Sequence, residues 1–303
     1  MRSNTGAKST AVISRRLAKA SRGQKGIIGF IRRKPLGALG GFIVLSMLFL
    51  AIFAPWVAPY GPEEFIEGGS ARLHPPSLRF LMGTDNLGRD ILSRVIYGAR
   101  LSMLVGFVST FLGTGIGALI ALVTAYWGGK WDLFTQRFMD VLWSFPSLVI
   151  AIVVVAVLGR GTTNLIIAIA IVYIPSAARV VRSAVLVVKE SEYVQAARAL
   201  GASQWRIMFR YIAPNCMAPY IIIATTTLGS AVITEASLSF LGLGVPPPAP
   251  SWGRDLFGSA QKFAELAPWM PIMPGLAISL TVYGFNLFGD AIRDILDPRL
   301  RGR

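Results

Sequence analysis

Chemistry in a polypeptide needs nucleophiles, bases, metal ligands or phosphate cradles at workable spacings, and this 303-residue sequence supplies few of them. The one histidine, His74, stands beside Pro75 and Pro76, and the one cysteine is Cys216. A single cysteine excludes an intrachain disulfide, and with one histidine it leaves no His/Cys metal cluster. No role falls to His74, which reads as a loop residue. A phosphate loop of the form Gly-x4-Gly-Lys-Ser/Thr is absent, since Gly6-Ala7-Lys8-Ser9 has the wrong spacing and no strand before it. Gly106, Gly113, Gly115 and Gly117 lie in an apolar run with no acidic residue at dinucleotide-binding distance, so Gly113 and Gly117 read as a close helix-packing face. There is no Gly-x-Ser-x-Gly elbow and no second histidine for a triad. The chain therefore reads as non-catalytic, with no cofactor and no metal of its own. The remaining candidates are carboxylates in apolar surroundings: Asp140, Asp290 and Glu235.

The elements that must hold those residues are set by the solvent. With 53% hydrophobic and 15% charged residues and a mean hydropathy of +0.58, the sequence points to a bilayer rather than to water. Crossing a hydrocarbon core takes roughly 20 apolar residues in a helix. Six charge-poor runs qualify: Pro35 to Pro62, Leu101 to Trp127, Val141 to Gly159, Gly161 to Ala178, Tyr211 to Thr234 and Leu266 to Gly289. The fold class is an all-α membrane protein with six transmembrane helices. Basic residues crowd the first 34 positions, and no acidic residue precedes Glu63. The positive-inside rule then places the amino terminus in the cytoplasm, together with Lys130, Arg137, the stretch from Arg179 to Arg210 and the tail from Arg293. A net charge of +15 is explained by topology rather than by nucleic acid.

Four segments follow. Residues 1–34 form a basic tail, and 35–100 hold the first span and an outer loop opened by Pro55, Pro59, Gly61 and Pro62. That loop balances its charges and should be solvated or surface-lying, with a short interfacial helix around Ile91, Val95 and Ile96. Residues 101–292 hold the other spans, and 293–303 form an inner tail. Within them, 179–214 is a long inner loop patterned as helix, turn, helix. Ser191 can cap a first helix with Glu192 in its opening turn, Gly201 can end it in a left-handed conformation, and Ser203 can cap a second helix running to Pro214. Ala196, Ala197 and Ala199 give the first helix a small-residue face that another protein could approach closely.

Gln195-Ala196-Ala197, three residues, Gly201 and then Pro214 resemble the EAA loop of ABC importer permeases, which forms the coupling helix docked in a groove of the ATPase. Gln195 stands where Glu is usual, Tyr211 where Ile is usual and Ala213 where Leu is usual. Four stretches further resemble the C-type permease of the dipeptide, oligopeptide, glutathione and nickel importer family. They are Gly83 to Asp90 with Ser93-Arg94, Glu192 to Pro214, Ala236 to Gly244, and Asp294 to Arg299. The resemblance implies a type-1 permease fold over about 101–292 and a homologous second permease as heterodimer partner. It also implies two ATPase subunits carrying ATP and Mg, an extracytoplasmic substrate-binding protein, and a bacterial inner-membrane location.

Glu235 interrupts the apolar stretch from Tyr211 to Gly253 near the expected outer end of the fifth span. It reads either as a partly solvated helix end or as part of an outer gate with Ser237, Gly242 and Gly244. Asp140 and Asp290, near inner span ends, read as anchors. An ion-coupled secondary carrier would also be apolar and free of nucleotide motifs, but it would be expected to show inverted repeats, and no convincing internal repeat is present.

Overall fold

A computed structural model describes Ile31 and residues 34–296 of the chain. The expected basic tail, apart from Ile31 and Lys34, and the end of the inner tail from 297 lie outside the described residues. The chain runs through α1 (Pro35–Val57), α2 (Ile91–Trp127), α3 (Gly129–Ser144), α4 (Ser147–Leu158), α5 (Thr162–Lys189) and α6 (Glu192–Ala199). It continues through α7 (Gln204–Phe240), α8 (Trp252–Phe263) and α9 (Trp269–Leu296). Among the described residues there is no β-strand, only an isolated bridge between Thr84 and Asp90.

Five helices, α1, α2, α5, α7 and α9, are long and apolar enough to cross a membrane. The expected span from Val141 to Gly159 is not one straight helix. It falls on α3 and α4, which meet at 94°, and only the pair together could supply a sixth crossing. The cause is Pro146. Its ring disfavours helical backbone at the preceding residue, and Phe145 is extended at φ −92° and ψ 144°. With 12 residues, α4 rises about 18 Å, short of a hydrocarbon core about 30 Å thick.

Two other expectations change. The separate interfacial helix near Ile91 is absent, because α2 is a single helix of 37 residues starting at Ile91. Asp90 caps it, accepting from the Ser93 amide at 2.8 Å and the Ser93 hydroxyl at 2.7 Å. The second inner-loop helix does not stop at Pro214 but continues as α7 to Phe240. A π-type turn over Ile207–Ile212 ends two residues before that proline, and the widened turn accommodates a residue that lacks an amide N–H.

The helices pack through small residues. A Cβ on Gly113 would strike the Ala170 carbonyl, and one on Gly117 the Ile174 carbonyl, so α2 and α5 touch backbone to backbone as the small-residue reading expected. On the other flank α1 buries Gly37, Gly40, Val44, Ala51 and Ala54, with Gly40 set against Gly284 and Leu287 of α9. Lys34 reaches Asp294 across 2.5 Å and ties the two ends of that pair. The rest of α1 exposes Leu36, Phe42, Leu45, Ile52 and Trp56, an apolar face suited to lipid.

The outer loop is more built than its balanced charge suggested. Asp85 accepts from the Leu87 and Arg89 amides at 2.8 and 2.9 Å and from Arg89 Nε at 2.7 Å. Thr84 donates to the Ala71 carbonyl at 2.5 Å and accepts from the His74 amide at 2.8 Å. Arg94 is buried, not solvated, gripping Asp255 of α8 through Nη2 at 2.6 Å and Nε at 3.2 Å. The sequence reading missed α8, whose Trp252 lies over Gly98 and donates its indole N–H to the Val95 carbonyl at 2.8 Å.

Candidate functional site

Two regions collect the residues singled out by sequence. The first is the inner loop between α5 and α7. Helix α5 runs on to Lys189, so the loop proper is shorter than 179–214. Ser191 sits at the N-cap position but does not cap; its hydroxyl turns back to the Val188 carbonyl at 2.6 Å. Gln195 reaches the same turn, donating to the Glu190 carbonyl at 3.1 Å. At the other end of α6, Gly201 has φ +78°. The Gly201 amide donates to Arg198 at 3.0 Å and the Ala202 amide to Ala197 at 3.1 Å. This is the bonding pattern of a left-handed Schellman stop. Ser203 then caps α7 by accepting from the Arg206 amide at 3.4 Å.

Helix α6 has an inner and an outer face. Val194 and Ala197 are buried, Val194 in one apolar cluster with Val181, Val185, Ile207 and Met208. Tyr193, Gln195, Ala196, Ala199 and Leu200 are exposed, Leu200 to 88%. The expectation that Ala196 and Ala197 both face outward is therefore half met: Ala196 is on the free face, while Ala197 packs on the chain itself. An aromatic brace fixes the loop beneath α2. The Tyr126 hydroxyl donates to Gln204 Oε1, Trp127 meets Trp205 edge-on at 5.4 Å, and Trp205 stacks on Phe209 at 5.9 Å. Pro214, two residues past the end of the π-type turn, lies in α7.

Above this loop, charged residues link α3 to α5. Arg182 holds Asp132 with two parallel bonds of 2.9 and 2.7 Å, the geometry a guanidinium makes best with a carboxylate. Asp140 accepts from Arg179 at 3.2 Å, so the anchor reading of Asp140 acquires a named partner.

The second region surrounds Glu235. It is not a solvated helix end. Its side chain is fully buried; Oε2 accepts from Ser102 of α2 at 2.8 Å, and Oε1 accepts from Ser239 at 2.8 Å, with Ser251 at 3.5 Å. Three hydroxyls from α2, α7 and the start of α8 thus converge on one carboxylate. Ser237 lies apart, its hydroxyl bonded to the Ile233 carbonyl at 2.8 Å. Gly242 ends α7 at φ +77°, and Gly244 returns the chain so closely on Ser239 that a Cβ there would collide with it. Just outside, a cavity of about 450 Å³ is walled by the outer loop, α8 and α9 and includes Arg89, Arg254 and Lys262. Burial pushes the Arg254 guanidinium below its ordinary range, and neighbouring Asp255 opposes that shift.

Sequence reasoning found Glu235 but not its serines, and Asp140 but not the stronger Asp132–Arg182 pair. The signal for that pair was the spacing of Asp132 and Asp140 on one α3 face opposite Arg179 and Arg182 on α5. Among the described residues no group of three or more His, Cys, Asp or Glu could hold a metal ion.

Comparison with known proteins follows the same lines. Residues 113–302 match the family model described as the binding-protein-dependent transport system inner membrane component, and residues 30–76 match the amino-terminal transmembrane domain of oligopeptide transport permease C. The chain is 45% identical over 277 residues to the di/tripeptide transport system permease DppC of Pseudomonas aeruginosa, covering 88% of this chain and 89% of that one. It is 43% identical over 271 residues to the glutathione transport system permease GsiD of Escherichia coli, covering 89% of each. A solved inward-facing structure of the MetNI methionine ABC transporter superposes with a TM-score of 0.56 at 20% identity, over 67% of this chain and 96% of the other. At that identity the likeness is one of fold, the type-1 importer permease.

Proposed function

Because the chain belongs to the family of binding-protein-dependent transport system inner membrane components, we propose that it forms one half of an import channel for peptides or closely related small solutes. ATP is hydrolysed on partner subunits, and the second half of the channel is a homologous permease. The relatives whose names specify a di/tripeptide or glutathione supply the solute class. The observation that carries the mechanism is the inner loop: a short helix held to its own chain by Val194 and Ala197, stopped by Gly201, and free on the face of Ala196 and Leu200. A helix so braced beneath α2, α5 and α7 can pass a push from a docked ATPase to the spans. We place the amino and carboxyl ends and this loop in the cytoplasm, a reading supported by the crowding of basic residues there; an extracytoplasmic binding protein delivers solute from the far side. Glu235 and its serines hold the outer ends of α2, α7 and α8 together and set the closed position of the outer gate.

The test is uptake of a labelled tripeptide by cells expressing the whole operon, with this gene deleted and restored. Restored uptake that stops when the Walker lysine of the copurifying ATPase is replaced supports the assignment. Uptake that persists without ATP hydrolysis and follows a proton or sodium gradient would point to an ion-coupled carrier instead.

A further inference from the structure

Exposed faces of the spans differ in chemistry. Outward residues of α1 are apolar, and α2 likewise exposes Leu104, Val108, Phe111, Leu112 and Leu119. Helix α7 instead presents Thr227, Ser230, Thr234 and Ser237, at helical spacing along one partly open face. Thr227, Thr234 and Ser237 each donate to a carbonyl one turn back in the same helix, at 2.8 Å, which leaves lone pairs on their oxygens able to accept from the N–H groups of a solute. Beside it, at the α3–α4 bend, is a hollow of about 470 Å³ lined by Trp143, Ser144, Phe145, Ser176 and Thr227. A second hollow, of about 550 Å³, is lined by Asp132, Gln136, Arg137, Asp140, Arg179 and Arg182.

Arg179 stands between the two. Its guanidinium covers the Trp143 ring at 3.7 Å, and among the described residues its one hydrogen bond is to Asp140 at 3.2 Å, with the side chain 51% exposed. The lower hollow is short of acceptors. Three arginines face two aspartates, Arg182 engages both oxygens of Asp132, and among the described residues the buried Gln136 Nε2 has no hydrogen-bond partner. A guanidinium with free N–H groups, stacked on an indole at the foot of a hydroxyl-lined wall, is suited to a planar carboxylate that approaches along that wall.

We propose that Arg179 is a specificity-determining residue, which takes the carboxylate of the passing solute in exchange for Asp140. The inference rests on the reading of the chain as a peptide-type permease and adds the atom that recognises the solute. Binding and release require only exchange of one carboxylate partner for another, with no bond made or broken in the solute.

The experiment uses the complete transporter, with tri-alanine and tri-alanine amide as labelled probes. The binding protein's own preference cancels when each variant is divided by wild type for the same probe. Arg179→Gln should lower tri-alanine uptake roughly tenfold, as expected for loss of a charge-assisted hydrogen bond, and change amide uptake less than about twofold. Asp140→Asn, which frees Arg179, should keep or raise tri-alanine uptake. Should Arg179→Gln fail to assemble, Arg179→Lys carries the test: charge without the planar fork should weaken acid uptake several-fold and spare the amide. Equal loss of both probes in assembled Arg179 and Asp140 variants overturns the proposal and makes the pair a structural latch. If wild type imports neither probe, the peptide reading itself fails and this inference with it, an outcome visible before any variant is made.

Discussion

Ser102 of α2 donates its hydroxyl to Glu235 of α7 across 2.8 Å, joining residues 133 positions apart inside a fully buried pocket. With Ser239 on the other oxygen, the carboxylate is a three-element clasp rather than a charge waiting for solvent. Glu235→Gln keeps the shape and an acceptor, so the variant should assemble at near wild-type yield. Glu235→Leu strands Ser102 and Ser239 without partners, and unsatisfied buried groups cost about 1–3 kcal/mol each. Thermal unfolding of the purified complex should fall for Leu and hardly move for Gln. A gate role in addition to the clasp requires that Gln alter the rate of uptake while leaving that stability intact; unchanged uptake and unchanged ATPase stimulation in Glu235→Gln reduce the residue to architecture.

The α2–α5 contact makes a sharper prediction because its glycines are not equivalent. A Cβ at Gly113 or Gly117 meets backbone carbonyls of α5, which cannot step aside, whereas at Gly115 the nearest atom is the Tyr220 hydroxyl at 3.8 Å. Gly113→Ala and Gly117→Ala should each destabilise by about 1–3 kcal/mol, the usual range for overpacking. Gly115→Ala should be silent. Comparing detergent-solubilised melting curves for the three checks the order, and a harmful Gly115→Ala with a harmless Gly113→Ala would contradict the packing described.

This contrast also shows what the sequence could and could not convey. Small residues at Gly113 and Gly117 announced a close approach, and the uncharged runs located five of the spans, because both signals are local and periodic. The bend at Phe145–Pro146 was written in the proline, yet a hydropathy count over Val141 to Gly159 averages across it. Arg94 looked like a solvated loop charge because its partner, Asp255, is 161 residues away on a helix that the apolar stretch concealed. Ala197 reads as outward from its size and from its place in the Gln195-Ala196-Ala197 pattern; only the rotation of α6, with Val194 in one apolar cluster with Val185, Ile207 and Met208, shows which of two adjacent alanines turns inward. Long-range pairing and helix rotation depend on the whole packing, which no single window of sequence contains.

Asp132 and Arg182 offer a measurable pair. Two parallel bonds join α3 to α5, with the aspartate side chain 12% exposed. Asp132→Asn removes the charge while Arg182 stays in place, and hydrogen bonds to charged groups contribute about 1.5–3 kcal/mol. Arg182→Gln should cost a similar amount, and the double variant should cost clearly less than the two added together, because each single change already abolishes the pair. Strict additivity in a double-mutant cycle on the unfolding of the complex would show that the two side chains contribute independently.

The inner loop carries the last prediction, in which two neighbouring alanines should fail in different ways. Ala196 lies on the free face of α6, so Ala196→Trp should fold and insert normally yet lose ATPase copurification, because bulk there meets only the partner. Ala197 is 7% exposed and packs on its own chain, so Ala197→Trp should overpack the loop's base and lower the yield of the permease itself, with or without the ATPase. Gly201 differs from both. A Cβ there touches nothing within 4 Å, but φ is +78°, a conformation in which a β-branched residue is strained. Gly201→Val should therefore leave the surface of α6 unaltered and change its direction, giving a complex that still holds the ATPase weakly but couples hydrolysis to uptake poorly. Gly201→Asn, which tolerates the left-handed conformation better than other side chains, should recover most of that coupling. Copurification, ATPase rate and uptake measured together separate the three: loss of docking for Ala196→Trp, loss of the subunit for Ala197→Trp, and loss of the ratio between hydrolysis and transport for Gly201→Val. Normal docking and uptake in both Ala196→Trp and Gly201→Val would mean that the ATPase engages some other part of the inner surface.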